Sequence, residues 1–170
     1  MAEGILRRLL ADAGIPATVD SGGLYEGGSP ATPTAVEVLR DAGIDISAHV
    51  SRNLAHVDLA GADLVIAMER RHLQEAVLLE PSIRPRSFTL PELVRRAESA
   101  AARRPDEPLR AWASALSAGR AATELLGSAD GVDDPIGGSK GRYGATAELL
   151  SDLLRRFVLR AWPVAASGAA

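Results

Sequence analysis

The sequence predicts an α/β fold, a doubly wound parallel sheet in three layers, and three observations carry that prediction. Short apolar runs suited to buried strands alternate with amphipathic helical segments along most of the 170 residues. An Asp-Ala-Gly-Ile stop occurs twice, at 12–15 and 41–44, each time where a helix must end and the chain must turn. The run LVIAM at 64–68 is apolar at every position, as a strand covered on both faces should be.

The elements follow in chain order. In residues 1–13, Met1, Ile5, Leu6, Leu9, Leu10 and Ala13 recur at helical spacing, while Glu3, Arg7, Arg8 and Asp12 fall mostly on the other face. Gly14 supplies a left-handed cap before Ile15 and Pro16. Residues 17–21 read as a short strand, and the glycine-rich loop GGLYEGGSP leads to a helix over 33–42 opened by Thr32 and Pro33. A connection over 44–54 and the stretch 59–63 bring the chain into the strand at 64–68, which a helix over 69–79 follows. A strand is predicted at 87–90, then a helix from Pro91 to about 102, a linker-like RRPDEP at 103–108 and a helix over 109–126. The loop ADGVDDPIGGSKGR precedes a long helix over 143–161. One domain is expected over 1–162, with 163–170 a disordered tail of small residues.

Composition narrows the function classes. At 46% hydrophobic and 24% charged, the chain is long enough for one ordinary core. No apolar run reaches the length of a membrane span and no basic leader precedes an apolar stretch, so a cytoplasmic protein without a membrane partner is the expectation. The formal charge is −3, and the arginine pairs are scattered along helices among carboxylates, which suits solvated faces better than a nucleic-acid surface. Six aromatic residues leave little for base stacking. There is no cysteine, which removes disulfides, cysteine zinc sites and any thiolate nucleophile from these 170 residues. His49, His56 and His72 are not spaced as a metal set, so neither metal nor cofactor is expected.

In doubly wound folds the first element is normally the strand at the middle of the sheet, and the loop after it cradles an anion against the first helix. Here the first predicted element is that helix. The blocks MAEGILRRLLADAGI, VDSGG, ATPTAVEVLRDAGIDISAHVSRNL, ADLVIAMERRHL and VDDPIGGS resemble, in order, successive blocks of the low molecular weight protein-tyrosine-phosphatase family. The resemblance covers residues 1 to about 156 apart from 97–127. It implies a central strand and a Cys-X-Gly-Asn-X-Cys-Arg-Ser-Pro loop that these residues do not include, so the chain as written is expected to be inactive. In the mechanism the resemblance implies, the loop cysteine attacks phosphorus, the loop arginine clamps the phosphoryl oxygens, and an aspartic acid protonates the leaving oxygen and later activates water, with no metal.

The resemblance places that general acid/base role on Asp134, in Asp134-Pro135, with Asp133 its less favoured neighbour. Read locally, Asp134 does no more than cap a turn. Ser21 and His49 match positions that support the phosphate loop by hydrogen bonding; locally they are a turn residue and a loop histidine. Tyr25 is a candidate substrate wall. His56 and His72 match nothing catalytic, and Arg70 and Arg71 read as a solvated helix start.

Two departures bear on specificity. Ile136-Gly137-Gly138 follows the Asp-Pro where many tyrosine-directed members carry aromatic residues, and this form, with SFTLPELV, resembles the bacterial branch that includes protein-arginine phosphatases. The expected partner is a phosphorylated protein, and the implied activity is protein-tyrosine-phosphatase, with a protein-arginine phosphatase as the alternative. A start codon lying upstream, or a truncated non-catalytic binding module, would each account for the abrupt start. An arsenate reductase of the same fold ranks below them because it needs further cysteines.

Overall fold

The computed structural model of the chain describes residues 1–121 and 130–163. Helix α1 (Ala2–Asp12) forms on the first apolar stripe and buries Ile5 and Leu10. Its stop is the predicted one: Gly14 has φ +65°, its N–H donates to Ala11 O at 3.0 Å, and Ile15 N–H donates to Leu10 O at 2.9 Å. Helix α2 (Pro33–Asp41) ends in the same way, with Gly43 at φ +74° and bonds from Gly43 to Arg40 and from Ile44 to Leu39. These bonds satisfy carbonyls that the last turn leaves open, in a conformation that only a residue without Cβ adopts cheaply. At the front of α2, Thr32 Oγ1 accepts from Ala35 N–H and Pro33 stands at the first helical position.

Strands β1 (Val65–Ala67) and β2 (Ser87–Thr89) pair in parallel, with Val65 opposite Ser87, Ile66 opposite Phe88 and Ala67 opposite Thr89. The crossover between them is α3 (Arg70–Leu79) and a 3-10 stretch, Pro81–Arg86. Alternation along the strand makes the layers. Leu64 and Ile66 join the main core, shared with α1, α2, α4 (Leu90–Ser99), α5 (Leu109–Leu116) and α6 (Lys140–Ala161), whereas Val65 joins a second cluster with Leu59, Ala76 and Ile83 beneath α3. Helices therefore cover β1 on both faces. Helix α6 is the hub of the main core, packing against α1, α2 and α4, and its Phe157 lies between the rings of Trp112 and Trp162.

Four expectations are corrected. Residues 17–21 make no strand ladder among the described residues; only Val19 packs on the core, while Thr18 and Asp20 are exposed, so there is little apolar burial to hold an extended edge. That stretch is fixed instead through Arg7, whose Nε donates to Val19 O at 2.9 Å, and through the Arg52–Asp20 ion pair. The helix predicted over 109–126 stops at Leu116, where Ser117 caps it and Gly119 turns at φ +73°; its remainder over 122–126 lies outside the described residues. Helix α6 starts three residues earlier than predicted because Ser139 Oγ accepts from Arg142 N–H. The stretch 103–108 is not a free linker: Arg103 donates to the carbonyls of Ala161 and Glu107 and sits over the Trp162 ring. The predicted disordered tail lies, from 164 onward, outside the described residues.

Candidate active site

Three of the four residues singled out from the sequence, Ser21, His49 and Asp134, converge on the N-terminal end of α1. Ser21 Oγ donates to the carboxylate of Glu3, and His49 Nδ1 lies 3.7 Å from the same carboxylate. Glu3 belongs to the first turn of the helix, where a carboxylate is stabilised by the helix dipole, and Arg7 one turn on pairs with it at 2.9 Å. Its side chain is only 12% exposed. Glu3 is thus the anchor of this group, and the sequence signal that could have found it is a lone acid in the first turn of a helix whose other first-turn residues are small or apolar. His49 is held from its own side by a backbone bond to Ile46 O.

Asp134 reaches the same end of α1 along a different route. Val132 is buried and its N–H donates to Met68 O at 2.7 Å, which lays the segment against the chain leaving β1. Pro135 is buried, while Asp133 and Asp134 are exposed. Asp134 Oδ1 accepts from Ile136 N–H at 3.0 Å, so the local turn role is real, and Arg142 Nη2 donates to Asp134 O at 3.1 Å. Glu3 and Asp134 both lie within electrostatic reach of the Met1 nitrogen at the start of α1.

A rim completes the site. Tyr25 is 79% exposed on the loop between residues 17–21 and α2, which two isolated bridges, Gly23 with Asn53 and Pro30 with Val50, and a bond from Asn53 Nδ2 to Tyr25 O tie to the 49–53 connection. Arg71 spans from this loop to the start of α3. It donates to Glu69 at 2.8 and 3.1 Å and bonds Tyr25, and these contacts, Glu69 first, raise its pKa. Glu69 is held below its ordinary value chiefly by the Arg71 hydrogen bond. His72, one residue further, is the group that sequence reasoning set aside. Burial lowers its pKa, Glu69 and Asp134 pull it up, and Arg71 pushes it down, so it belongs to the same electrostatic neighbourhood as Asp134.

Arg70 also departs from the solvated helix start that the sequence suggests. It is 9% exposed and turned inward, with Nη1 3.1 Å from Glu92 Oε2 and Nη2 3.8 Å from Asp130. Among the described residues no group of three or more His, Cys, Asp or Glu side chains is arranged to hold a metal ion. No helix among them is long and apolar enough to cross a membrane.

The fold is an α/β one, with a parallel strand pair between helices and Ser21, His49 and Glu3 gathered at the start of the first helix. The family model for low molecular weight phosphotyrosine protein phosphatase matches residues 1–111, and the chain belongs to that family. It is 30% identical to the protein-arginine-phosphatase of Bacillus subtilis (strain 168), over 92% of this chain and 83% of that protein. Among solved structures it is similar to the low molecular weight protein tyrosine phosphatase of T. tengcongensis, with 31% identity, a TM-score of 0.66 and coverage of 92% of this chain and 86% of that one. It is also similar to a Cys-to-Ser mutant of the YwlE arginine phosphatase with a phosphorylated active-site serine, with 29% identity, a TM-score of 0.67 and coverage of 91% and 82%.

Proposed function

We propose that these residues carry the acid and the supporting half of a phosphomonoesterase site that acts on phosphorylated protein, with Asp134 as general acid and base. The observation that carries this reading is the convergence of Asp134 and the Ser21–Glu3–His49 group on the start of α1. A phosphoryl group seated there meets the positive end of the helix dipole and its unpaired N–H groups. In the first step a thiolate sulfur, which these 170 residues do not supply, would bond phosphorus, the bond from phosphorus to the leaving atom breaks, and Asp134 gives its proton to that atom. In the second, the Asp134 carboxylate takes a proton from water, whose oxygen attacks phosphorus, and inorganic phosphate and the thiolate are released. Ser21 and His49 keep Glu3, and with it the entrance to α1, in one arrangement. A phosphorylated active-site serine in the related arginine phosphatase mutant supports phosphoryl transfer onto the protein as the first step.

The 170 residues contain no cysteine, so on this reading they do not turn over phosphate esters by themselves. An acid without nucleophile or clamp leaves most of the barrier standing. The test is an assay of the purified 170-residue chain with p-nitrophenyl phosphate, a phosphotyrosine peptide and a phosphoarginine peptide, beside the intact mass of the protein recovered from its native cell. The expected result is no vanadate-sensitive turnover from the 170 residues. Vanadate-sensitive turnover by the 170-residue chain, free of contaminating enzyme, overturns the reading; a native mass of 17.8 kDa without turnover gives the non-catalytic binding module instead.

For the substrate, a protein-arginine phosphatase is the second reading, and a specific observation favours it over phosphotyrosine. The residue after Asp134-Pro135 is Ile136, 66% exposed, so Tyr25 is the one aromatic side chain placed at the described rim. A single aromatic side chain offers a phenyl ring one stacking face instead of two. Paired kcat/KM values for phosphoarginine and phosphotyrosine in one peptide sequence decide between the two.

A further inference from the structure

We propose that Arg95, together with Arg70, clasps Asp130 and thereby positions the segment that carries Asp134, so that Arg95 is a positioning residue for the acid. The proposal rests on Asp134 being the acid of the site. Asp130 is four residues ahead of Asp134 and receives a two-pronged guanidinium: Arg95 Nη1 to Oδ1 at 3.1 Å and Arg95 Nη2 to Oδ2 at 2.6 Å. Such a fork fixes direction as well as distance. Arg70 approaches the same carboxylate from α3 at 3.8 Å while its other nitrogen holds Glu92, and its buried Nε has no hydrogen-bond partner. Its guanidinium is therefore placed by the two carboxylates on either side of it.

The base of the clasp is buried. Glu92, 2% exposed, and Arg95 stand three residues apart on α4, hence on one face of the helix. Glu92 also accepts from Arg96 Nε at 3.0 Å and Arg120 Nε at 2.9 Å. Arg120 and Asp130, the residues flanking 121–129, thus attach to the same Glu92–Arg70 pair. From there Asp130 is tied down by charge, Val132 by its bond to Met68 O, and Pro135 by burial, which leaves Asp133 and Asp134 exposed between fixed points. Remove the fork and the longer Arg70 contact stays on Asp130, with Val132, Pro135 and the Arg142 bond to Asp134 O holding the segment beyond it.

His72 reports the outcome without any turnover. Asp134 is among the groups that raise its titration midpoint, beside Glu69 raising it and Arg71 lowering it. The experiment follows the His72 ring resonances of the 170-residue chain by NMR against pH in the parent, Asp134→Asn, Arg95→Met and Arg95→Lys. Asp134→Asn should lower the midpoint by removing a nearby anion. Taking a cation away can only raise a histidine midpoint directly, so a fall in Arg95→Met signals that the Asp134 carboxylate has moved off. The expected result is such a fall, at least half of that in Asp134→Asn, with Arg95→Lys nearer the parent. A midpoint in Arg95→Met that is unchanged or raised overturns the proposal, and so does a midpoint that ignores Asp134→Asn. Because phosphatase activity enters neither measurement, failure here is distinct from failure of the phosphatase reading.

Discussion

Glu92→Gln is the substitution whose cost the structure states most directly. The carboxylate sits with 3% side-chain exposure among three arginines, two of which, Arg70 at 9% and Arg120 at 4%, have almost no water of their own. Oε1 accepts from Arg96 and Arg120, and Oε2 from Arg70. A glutamine oxygen can serve one side of this arrangement, but the NH2 group on the other side then points a donor at a donor, and the negative charge opposing three cations is gone. Breaking a buried pair by removing one partner costs about 3–5 kcal/mol because the remaining charge is left uncompensated. Burial already pulls the Arg120 pKa down, with Glu92 acting against it, so this guanidinium loses its main support. At roughly 2–4 °C per kcal/mol for a chain of this size, the midpoint of thermal unfolding falls by about 6–20 °C. Urea unfolding followed by the fluorescence of Trp112 and Trp162, with calorimetry beside it, measures the loss. Combining Glu92→Gln with Arg120→Gln should cost less than the two singly, since each then removes an unpaired partner of the other. A loss below about 1 kcal/mol in the single variant would show that the cluster is wet and carries no more than a surface pair, and would refute the reasoning.

The remaining predictions concern the loops and the chemistry. A Cβ on Gly27 would lie 2.7 Å from Ser51 O and 3.0 Å from Arg52 Cα, both backbone atoms that cannot swing aside, so Gly27→Ala should cost about 1–3 kcal/mol and raise hydrogen exchange in the Tyr25 loop; an unchanged melt and unchanged exchange contradict this. Burial holds the folded-state pKa of His72 below 6.5, so the unfolded chain takes up the proton first: the neutral imidazole contributes stability in full above 6.5, and that contribution is lost as pH falls toward the folded value. Urea melts on either side of 6.5 should show this slope in the parent and a shallower one in His72→Gln. In active native enzyme, Asp134→Asn should lower kcat by about 10²–10⁴-fold, and by less for a p-nitrophenyl ester than for an ester with a poorer leaving group; equal losses for both would remove Asp134 as the acid.

What could be read from the sequence divides by range. The two Asp-Ala-Gly-Ile stops, the Thr32-Pro33 opening of α2 and the buried run at 64–68 are decided within a few residues of themselves, and each forms where it was predicted. Residues 17–21 looked equally local, yet a strand exists only through its neighbours, and the alternation of two or three side chains says nothing about whether a neighbour is there. The reading of α5 failed for a related cause: its apolar spacing runs on past Leu116, but Gly119 turns the chain at positive φ, and that turn lies within an otherwise helical pattern.

The arginine pairs make the same point with charge. Arg70-Arg71 and Arg95-Arg96 are indistinguishable as sequence, and a solvated face is the economical reading of both. In the fold each pair is split: Arg71 and Arg95 lie at the surface, whereas Arg70 turns inward and Arg96 is 22% exposed, both toward Glu92. One part of this was accessible, because Glu92 and Arg96 are four apart on a helix. The rest was not, since Arg70 and Arg120 come from 22 and 28 residues away, and Arg70 meets Glu92 because β1 and β2 run parallel. A parallel crossover returns each strand to the same end of the sheet, so the residues just after β1 and just after β2 become neighbours: Arg70 follows one, Glu92 the other. The Arg70–Asp130 contact inherits that geometry, which is why Asp134 could be singled out by its motif while the charges around Asp130 could not.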